Sequence, residues 1–209
     1  MTLNIAEVNE TLREQSPFEI IKWAVGQGER PVVTTNFGPY EATLLHACSS
    51  VMSGMQVIWC DSGYNTEATY RHADAIVEQL GLNVASYIPK QTAAHRSVQM
   101  GGVPFVDDPL HGLFTEQVKL EPFRRALKEH RPDVWFTNLR KDQTAFRGTL
   151  DIVTRGDDGI LKVSPFFYWS EEQLDGYLAE HGLRSEDDYY DPTKALQNRE
   201  CGLHTQSLT

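Results

Sequence analysis

The chain has 209 residues, of which 40% are hydrophobic and 23% charged, and its formal net charge is −10. This length suits one domain that buries roughly 70% of its unfolded surface, and the acidic balance argues against a generic nucleic-acid binder. No apolar run approaches the roughly 20 residues that span a membrane, and no leader pattern precedes the first helix, so we expect no signal peptide and a cytoplasmic location.

Predicted helices and strands alternate along the chain. Helices are expected up to about residue 28 and at 40–51, 66–80, 121–130 and 170–182. Strands are expected at 30–35, 55–61, 82–88, 133–137 and 160–167. Between them, the Gly- and Pro-punctuated residues 89–117 predict a long loop or short helical pieces.

This alternation predicts an α/β fold, with a mainly parallel sheet and helices on both faces. We expect a single nucleotide-binding domain at 1–182 and a polar, irregular and flexible C-terminal tail at 183–209. Ligands of such sheets bind beyond the carboxyl ends of the strands. Four stretches should therefore lie near one another, at 34–39, 61–65, 89–117 and 138–147.

The turn "TTNFGPY" follows the first strand and contains Thr34, Thr35, Phe37 and Gly38. Small hydroxyls and a glycine before a helix favour a phosphate or sulfate at the backbone N–H groups. The turn has neither a Walker lysine nor a GxGxxG pattern, so an ordinary strand-to-helix turn remains an alternative.

A second polar turn, "DSGYNTE", follows the next strand and includes Asp61 and Gly63. A carboxylate at this position suits a ribose hydroxyl or an adenine amino group. The alternative is a loop carboxylate that caps the following helix.

A basic loop, "NLRKDQTAFR", follows the strand at 133–137. Arg140, Lys141, Gln143 and Arg147 cluster there, and Lys119 adds to their field. Guanidinium groups bind phosphate and sulfate oxygens in pairs of hydrogen bonds, so the loop predicts an anion site. A solvated basic loop is the alternative.

The three cysteines form no CxxC pair, and their odd number is typical of a reduced, cytoplasmic protein. Cys48 lies on a helix face and Cys60 in an apolar strand, so both are expected in the core. Cys201 lies in a polar stretch beside Arg199 and His204, which would favour a thiolate, and beside Glu200, which would oppose it. It is the candidate nucleophile, and no spacing suggests a metal site.

Six motifs occur in order along the chain: "TTNFGPYEATLLH", "VIWCDSGYNTEATYRHADAI", "VKLEPFRRAL", "WFTNLRKDQTAFR", "LKVSPFFYW" and "NRECGLH". Together they resemble the sulfonucleotide reductases, specifically the phosphoadenylyl-sulfate (PAPS) reductases of assimilatory sulfate reduction. The resemblance covers most of the chain from about Pro31. It implies a Rossmann-like adenine nucleotide α-hydrolase fold with a modified PP-loop at 34–38.

The resemblance also implies the chemistry. Cys201 would attack the sulfur of PAPS, leaving S-sulfocysteine and releasing adenosine 3′,5′-bisphosphate, and thioredoxin or glutaredoxin would then release sulfite. It implies a homodimer, no bound cofactor and no iron–sulfur cluster, because the tandem Cys-Cys and CxxC of cluster-bearing adenylyl-sulfate reductases are absent. The implied substrate-binding residues are Thr34, Thr35, Phe37, Gly38, Asp61, Gly63, Lys119, Arg140, Lys141, Gln143, Arg147, Arg199 and His204.

Two features depart from the family pattern. Asn36 stands where the PP-loop usually has Ser, and the segment before Cys201 lacks the usual Gly- and Thr-rich stretch, for which Tyr189, Tyr190 and Lys194 are partial substitutes. Two other functions stay open from the sequence. One is a PP-loop ATP pyrophosphatase that adenylates its substrate, and the other is a non-catalytic nucleotide-binding redox paralogue.

Overall fold

The structure is a computed structural model that describes residues 3–156 and 158–194. Its helices are α1 (Ile5–Leu12), α2 (Pro17–Val25), α3 (Glu41–Val51), α4 (Glu67–Leu80), α5 (Ala93–Met100), α6 (His111–Thr115), α7 (Glu121–His130) and α8 (Glu171–Glu180). Its strands are β1 (Pro31–Thr35), β2 (Gln56–Cys60), β3 (Asn83–Tyr87), β4 (Val134–Phe136), β5 (Val153–Arg155) and β6 (Leu161–Val163). A π-helical turn, Glu116–Leu120, joins α6 to α7. Within the described ranges, no helix is long and apolar enough to cross a bilayer.

The strands form a six-stranded sheet in the order β3-β2-β1-β4-β6-β5. All neighbouring pairs are parallel except β5 with β6, so the predicted mainly parallel α/β fold is confirmed. Strand β1 lies between β2 on one side and β4 on the other. The chain adds β2 and β3 on the first side and then crosses back over β1 to add β4 on the second side. In sheets of this kind, the crevice for a ligand lies at that switch point.

Apolar side chains of the strands alternate between the two faces of the sheet, as the two-residue period of a strand requires. On one face, Val33 and Phe136 join the core formed with α2, α3 and α8. On the other face, Ile58 and Trp135 pack with Phe123 of α7. Helices therefore cover both faces, and the carboxyl ends of the central strands remain available for a site.

The N-terminal stretch forms two helices, although its sequence pattern suggested one. Ser16 accepts a hydrogen bond from the Glu19 amide, the Glu19 carboxylate accepts one from the Ser16 amide, and Pro17 stands in the first turn of α2. A capping box and a proline in the first turn mark the beginning of a new helix. The sequence pattern predicted no boundary here because apolar residues occur at helical spacing on both sides of Ser16.

The sequence predicted either a long loop or short helical pieces at 89–117. The segment contains α5 and α6, so short helical pieces are confirmed. Arg96 of α5 is fully buried and holds these pieces together. Its Nε donates to Gln117 Oε1 at 3.0 Å, its Nη2 donates to the Gln91 carbonyl at 2.9 Å, and its guanidinium lies near the Tyr64 and Phe114 rings.

The sequence pattern missed strand β5, which is three residues long and lies at the sheet edge. Asn9 of α1 completes its hydrogen bonding. The Asn9 Nδ2 donates to the Val153 carbonyl at 2.9 Å, and the Val153 amide donates to Asn9 Oδ1 at 2.8 Å. Because Asn9 is 96% buried (4% exposed), water cannot replace these bonds.

Replacing Asn9 by Ala should therefore lower the free energy of unfolding by about 1–3 kcal/mol, because two backbone groups of Val153 lose their partners. Urea unfolding measures the change. The matched control is Asn4→Ala, since Asn4 is exposed and its side chain makes no capping bond; we expect at most about 0.5 kcal/mol there. Equal effects of the two substitutions would contradict this role for Asn9.

Candidate active site

A cavity of about 550 Å³ lies at the carboxyl ends of β1, β2 and β4. Elements from six parts of the chain contribute to its wall. They supply Thr34, Thr35, Asn36, Pro39, Tyr40, Glu41, Ile58, Cys60, Ser62, Asn65, Val118, Lys119, Phe123, Thr137, Asn138, Leu139, Arg140, Gln143, Arg147, Glu171, Tyr189, Tyr190, Asp191, Pro192, Thr193 and Lys194. This volume falls within the range of ligand pockets.

The strand-to-helix turn after β1 forms one wall through Thr34 and Thr35. Its backbone amides are already engaged. The Phe37 amide donates to Thr35 Oγ1 at 2.9 Å, and the Gly38 amide donates to Asn36 Oδ1 at 2.8 Å. An anion in the cavity would therefore have to rely on side chains in this conformation.

Phe37 and Gly38 shape this turn from beneath and do not belong to the cavity lining. Phe37 adopts a positive φ of 54°, is fully buried and packs edge-on against Trp59 at 5.0 Å between ring centroids. Gly38 lies beneath the Tyr189 ring, where a Cβ atom would come within 2.9 Å of Tyr189 Cγ. Both residues thus determine the position of the wall.

Asp61 organises the loop after β2. Its carboxylate accepts hydrogen bonds from the Gly63 amide and from Asn65 Nδ2, each at 2.9 Å, and from the Tyr70 hydroxyl. Neither Asp61 nor Gly63 is part of the cavity lining, whereas Ser62 and Asn65 are. In this arrangement Asp61 stabilises the loop, but it does not cap α4 as the alternative expected, because the Thr66 side chain is the cap.

Four basic side chains line the cavity, namely Lys119, Arg140, Arg147 and Lys194. Lys119 Nζ lies 2.5 Å from Asp191 Oδ2, and Arg140 Nη2 lies 3.3 Å from Glu171 Oε1. Arg147 donates to the side-chain oxygen of Gln143. Four cations thus line one cavity of an acidic chain, and the anion site expected from the sequence stays a prediction.

The Lys119–Asp191 ion pair is mostly shielded from solvent, with side-chain exposures of 16% and 6%. Burial acts to raise the pKa of the Asp191 carboxyl, but the Lys119 charge and hydrogen bonds from Thr193 outweigh it and lower that pKa. The pair joins the π-helical turn before α7 to the segment 185–194.

The segment 185–194 lies along the cavity and connects α8 to the last described residue. The Tyr40 amide donates to Ser185 Oγ at 3.3 Å, and the Thr66 hydroxyl donates to the Asp188 carbonyl at 2.7 Å. With Tyr189 over Gly38, these contacts anchor the segment to the turns after β1 and β2. Despite its short length, the segment forms a wall of the cavity.

Of the remaining candidates, only Lys141 is among the described residues, and it lies elsewhere. The Lys141 ammonium lies 5.2 Å from the Tyr168 ring centroid, outside the cavity lining, so the structure does not bring Lys141 to this site. Arg199, Cys201 and His204 fall outside the described residues. Within the described ranges, no group of three or more His, Cys, Asp or Glu side chains is arranged to hold a metal ion.

Cys48 and Cys60 are the cysteines in the described part of the chain. Cys48 is buried in the core as expected, whereas Cys60 is only partly buried and packs against the apolar cluster of Ile58 and Phe123. Cys60 reaches the cavity wall, where burial raises the pKa of its thiol to about 12. Burial likewise raises the pKa of Cys48. Because the thiolate is the nucleophile, neither thiol is suited to attack at neutral pH.

Glu41 is a cavity residue that the sequence interpretation missed. It is the first residue of α3. Acidic residues are common at this position, so the sequence alone gives no sign of a functional role. Burial raises the pKa of its carboxyl to about 7, although the polar side chains of Thr35 and Asn138 and the charges of Arg140 and Lys194 act to lower it.

Comparison with known proteins identifies the family. A family model described as "Phosphoadenosine phosphosulfate reductase domain" matches residues 30–190. The chain belongs to this family. Curated relatives named phosphoadenosine 5′-phosphosulfate reductase include those of Vibrio atlanticus, 32% identical over 87% of this chain and 70% of the relative, and of Aliivibrio salmonicida, 33% identical over 87% and 72%.

Solved structures agree with this family assignment. A phosphoadenylyl-sulfate reductase from Candida auris, in a phosphate complex, superposes with a TM-score of 0.75 at 26% identity and covers 89% of this chain and 91% of its own. An NH3-dependent NAD synthetase from Campylobacter jejuni shares the fold at a TM-score of 0.56 and 10% identity, covering 87% of this chain and 75% of its own. The PP-loop type of fold expected from the resemblance is confirmed.

Replacing Gly38 by Ala should displace Tyr189, because the new Cβ would lie 2.9 Å from its ring. The segment 185–194 would then open more often, and trypsin should cleave after Arg184 roughly threefold faster or more, since proteolysis follows the open population. The matched control is Gly176→Ala in α8, where a Cβ meets nothing within 4 Å. Equal cleavage rates in wild type, Gly38→Ala and Gly176→Ala would contradict the anchoring role of Gly38.

Proposed function

We propose that this protein reduces PAPS to sulfite and adenosine 3′,5′-bisphosphate. The observation that carries the proposal is the cavity at the sheet switch point, where Lys119, Arg140, Arg147 and Lys194 concentrate positive charge in a chain of net charge −10. Membership of the reductase family supports the same substrate. PAPS carries a 3′-phosphate and a 5′-phosphosulfate, so its binding requires several cations in one place.

The shape of the cavity suits a nucleotide. Ile58, Val118 and Phe123 supply apolar lining that would accommodate a purine. The basic side chains come from the π-helical turn (Lys119), the loop after β4 (Arg140 and Arg147) and the segment 185–194 (Lys194). Binding pockets commonly combine an apolar lining with a few converging polar groups. The phosphate and sulfate groups of PAPS would exchange contacts with the carboxylates that now pair with Lys119 and Arg140.

In the proposed reaction, the Cys201 thiolate attacks the sulfonate sulfur of PAPS. A sulfur–sulfur bond forms, the bond from sulfur to the phosphate oxygen breaks, and adenosine 3′,5′-bisphosphate leaves with the bonding electrons. A thiolate of the reductant then attacks Cys201 Sγ and expels sulfite, and its second thiol resolves the mixed disulfide. The dithiol supplies the two electrons. Positive charge in the cavity would screen the repulsion between thiolate and sulfonate.

Two observations favour Cys201 over Cys60 as the nucleophile. The pKa of Cys60 is raised to about 12 by burial, which keeps it a thiol. Cys201 follows Lys194, a cavity residue, by seven positions in the sequence. A seven-residue chain spans at most about 25 Å, so covalent geometry allows Cys201 to reach the cavity.

The reductant and the assembly belong to the same proposal. A dithiol protein of the thioredoxin or glutaredoxin type would regenerate Cys201, in a cytoplasmic setting that keeps thiols reduced. We further propose a homodimer, a reaction without a bound cofactor or iron–sulfur cluster, and the division into a domain at 1–182 and a tail at 183–209.

Replacing Cys201 by Ser should reduce sulfite release to background while adenosine 3′,5′-bisphosphate still binds, because only the nucleophile is lost. In the wild type, incubation with PAPS without a reductant should add about 80 Da, the mass of a transferred sulfonate, to the peptide containing Cys201. Mass spectrometry after digestion locates the adduct. Cys60→Ser is the control and should retain the adduct on Cys201.

Three outcomes would overturn the proposed function. An adduct on Cys60, or none on any cysteine, would refute the mechanism. Full activity of Cys201→Ser together with ATP hydrolysis would favour the pyrophosphatase. Binding of PAPS by the wild type without sulfite formation in the presence of thioredoxin or glutaredoxin would favour a non-catalytic protein.

Replacing Lys119 by Ala should lower kcat/KM for PAPS by about 10- to 100-fold, because a charge-assisted hydrogen bond contributes roughly 1.5–3 kcal/mol. This change also leaves the buried Asp191 carboxylate unpaired. The double variant Lys119→Ala, Asp191→Ala removes that second effect and should keep the low kcat/KM. If the double variant recovers wild-type activity, Lys119 acts only through its ion pair.

A further inference from the structure

We propose that Glu41 takes up a proton when the anionic nucleotide binds, so that substrate affinity falls as this carboxyl ionises. This inference rests on the proposed function, since it takes PAPS or its product as the ligand. It adds a role for a residue to which neither the sequence analysis nor the proposed reaction assigns one. The proton comes from solvent, and no other bond changes.

The local geometry leaves the carboxylate of Glu41 poorly stabilised. The polar side chains of Thr35 and Asn138 lie near the carboxyl group and act to lower its pKa. Its Oε2 atom is nevertheless buried and has no hydrogen-bond partner among the described residues. An ionised oxygen that is neither solvated nor hydrogen-bonded is costly, and protonation removes most of this cost.

Two cations and a helix keep the ionised form accessible. Arg140 and Lys194 attract the Glu41 carboxylate, and the N-terminus of α3 favours a negative charge at its first residue. These forces oppose burial, and the pKa of Glu41 is raised only to about 7. Near neutral pH, Glu41 therefore occurs in both protonation states before a ligand binds.

Other charged and titratable groups face the cavity from every element around it. The cations are Lys119 from the π-helical turn, Arg140 and Arg147 from the loop after β4, and Lys194 from the segment 185–194. The carboxylates besides Glu41 are Glu171 of α8 and Asp191, which pair with Arg140 and Lys119. The remaining titratable groups are Tyr40, Cys60, Tyr189 and Tyr190.

An anionic nucleotide changes the balance at Glu41 in two ways. Its phosphate groups take over the cations Arg140 and Lys194, which removes part of the attraction that holds the carboxylate ionised. They also add negative charge to a site of low polarity, which repels the carboxylate directly. Both effects raise the pKa of Glu41 in the complex, so the bound state favours the neutral acid.

The sign of the pH dependence follows from this linkage. Below the pKa of the free site, Glu41 is already protonated and binding needs no proton. As the pH rises through about 7, an increasing share of free protein is ionised and must take up a proton to bind. The dissociation constant of the wild type should therefore increase relative to that of a variant without this carboxyl.

The test uses calorimetric titration of the full chain with adenosine 3′,5′-bisphosphate at several pH values, in buffers of different ionisation enthalpy. The variant is Glu41→Gln, which keeps the size and the acceptor oxygen. The ratio of the wild-type to the Glu41→Gln dissociation constant should rise about tenfold from pH 6 to pH 8. At pH 7 the wild type should take up about half a proton more than Glu41→Gln does.

The matched control is Glu171→Gln, which removes a charge from the same cavity, but from a carboxylate whose side chain is 66% exposed. It should change affinity by a similar factor at every pH and leave the proton uptake as in the wild type. This comparison separates the titration of Glu41 from a general reduction of negative charge. Because every protein is titrated with the same nucleotide, the contribution of nucleotide phosphate ionisation cancels when wild type and variants are compared.

Two results would overturn the inference while leaving the proposed function intact. One is nucleotide binding with a dissociation-constant ratio that stays constant from pH 6 to pH 8. The other is proton release by the wild type relative to Glu41→Gln, which would mean that the carboxylate accepts a hydrogen bond from the nucleotide. Failure of every protein to bind the nucleotide at any pH would overturn both the inference and the proposed function.

Discussion

Cations that are withdrawn from water need hydrogen-bond acceptors or anionic partners, and this requirement governs the carboxyl edge of the sheet. Removing a charge from solvent costs several kcal/mol, so a buried lysine or arginine persists only when such partners offset that cost. Asp191 and Glu171 pair with Lys119 and Arg140 in the cavity. Under the proposed function, an anionic ligand would replace these carboxylates as the partner of the same cations.

The same requirement gives the segment 185–194 a definite place. Asp191 joins it to the π-helical turn before α7, while Ser185 and Asp188 bind the turns after β1 and β2. A short connection from α8 can therefore form a wall without the Gly- and Thr-rich stretch of other family members. The wall is coupled to the turn after β1 through the contact between Gly38 and Tyr189.

Much of the fold could be predicted from sequence because periodicity and helix boundaries are local properties. The helix 121–130 was predicted with its observed bounds, and the first three strands agree to within a residue at each end. The exceptions have physical causes. The sixth strand ends at Val163, before the Pro165 that cannot join a ladder, and β5 is too short for a periodic signal.

The site could be predicted only in part, because the motif of a loop does not report which way its side chains point. Arg140 and Arg147 face the cavity, whereas Lys141, between them in the sequence, turns to Tyr168. The amides of Phe37 and Gly38 are expected to be available in a phosphate-binding turn, yet side chains of the turn itself occupy them.

By itself, the sequence determined the alternation of helices and strands, the parallel sheet and the resemblance to the reductase family, since these depend on residue order and local pattern. The tertiary structure decided the charge state and pairing of the site. Lys119 meets Asp191 across 72 residues of sequence, and Glu41 becomes a carboxyl with a pKa of about 7 only in the surroundings that β1 and the loop after β4 create. Burial and pairing set the energy of a charge, and both arise only when distant parts of the chain come together.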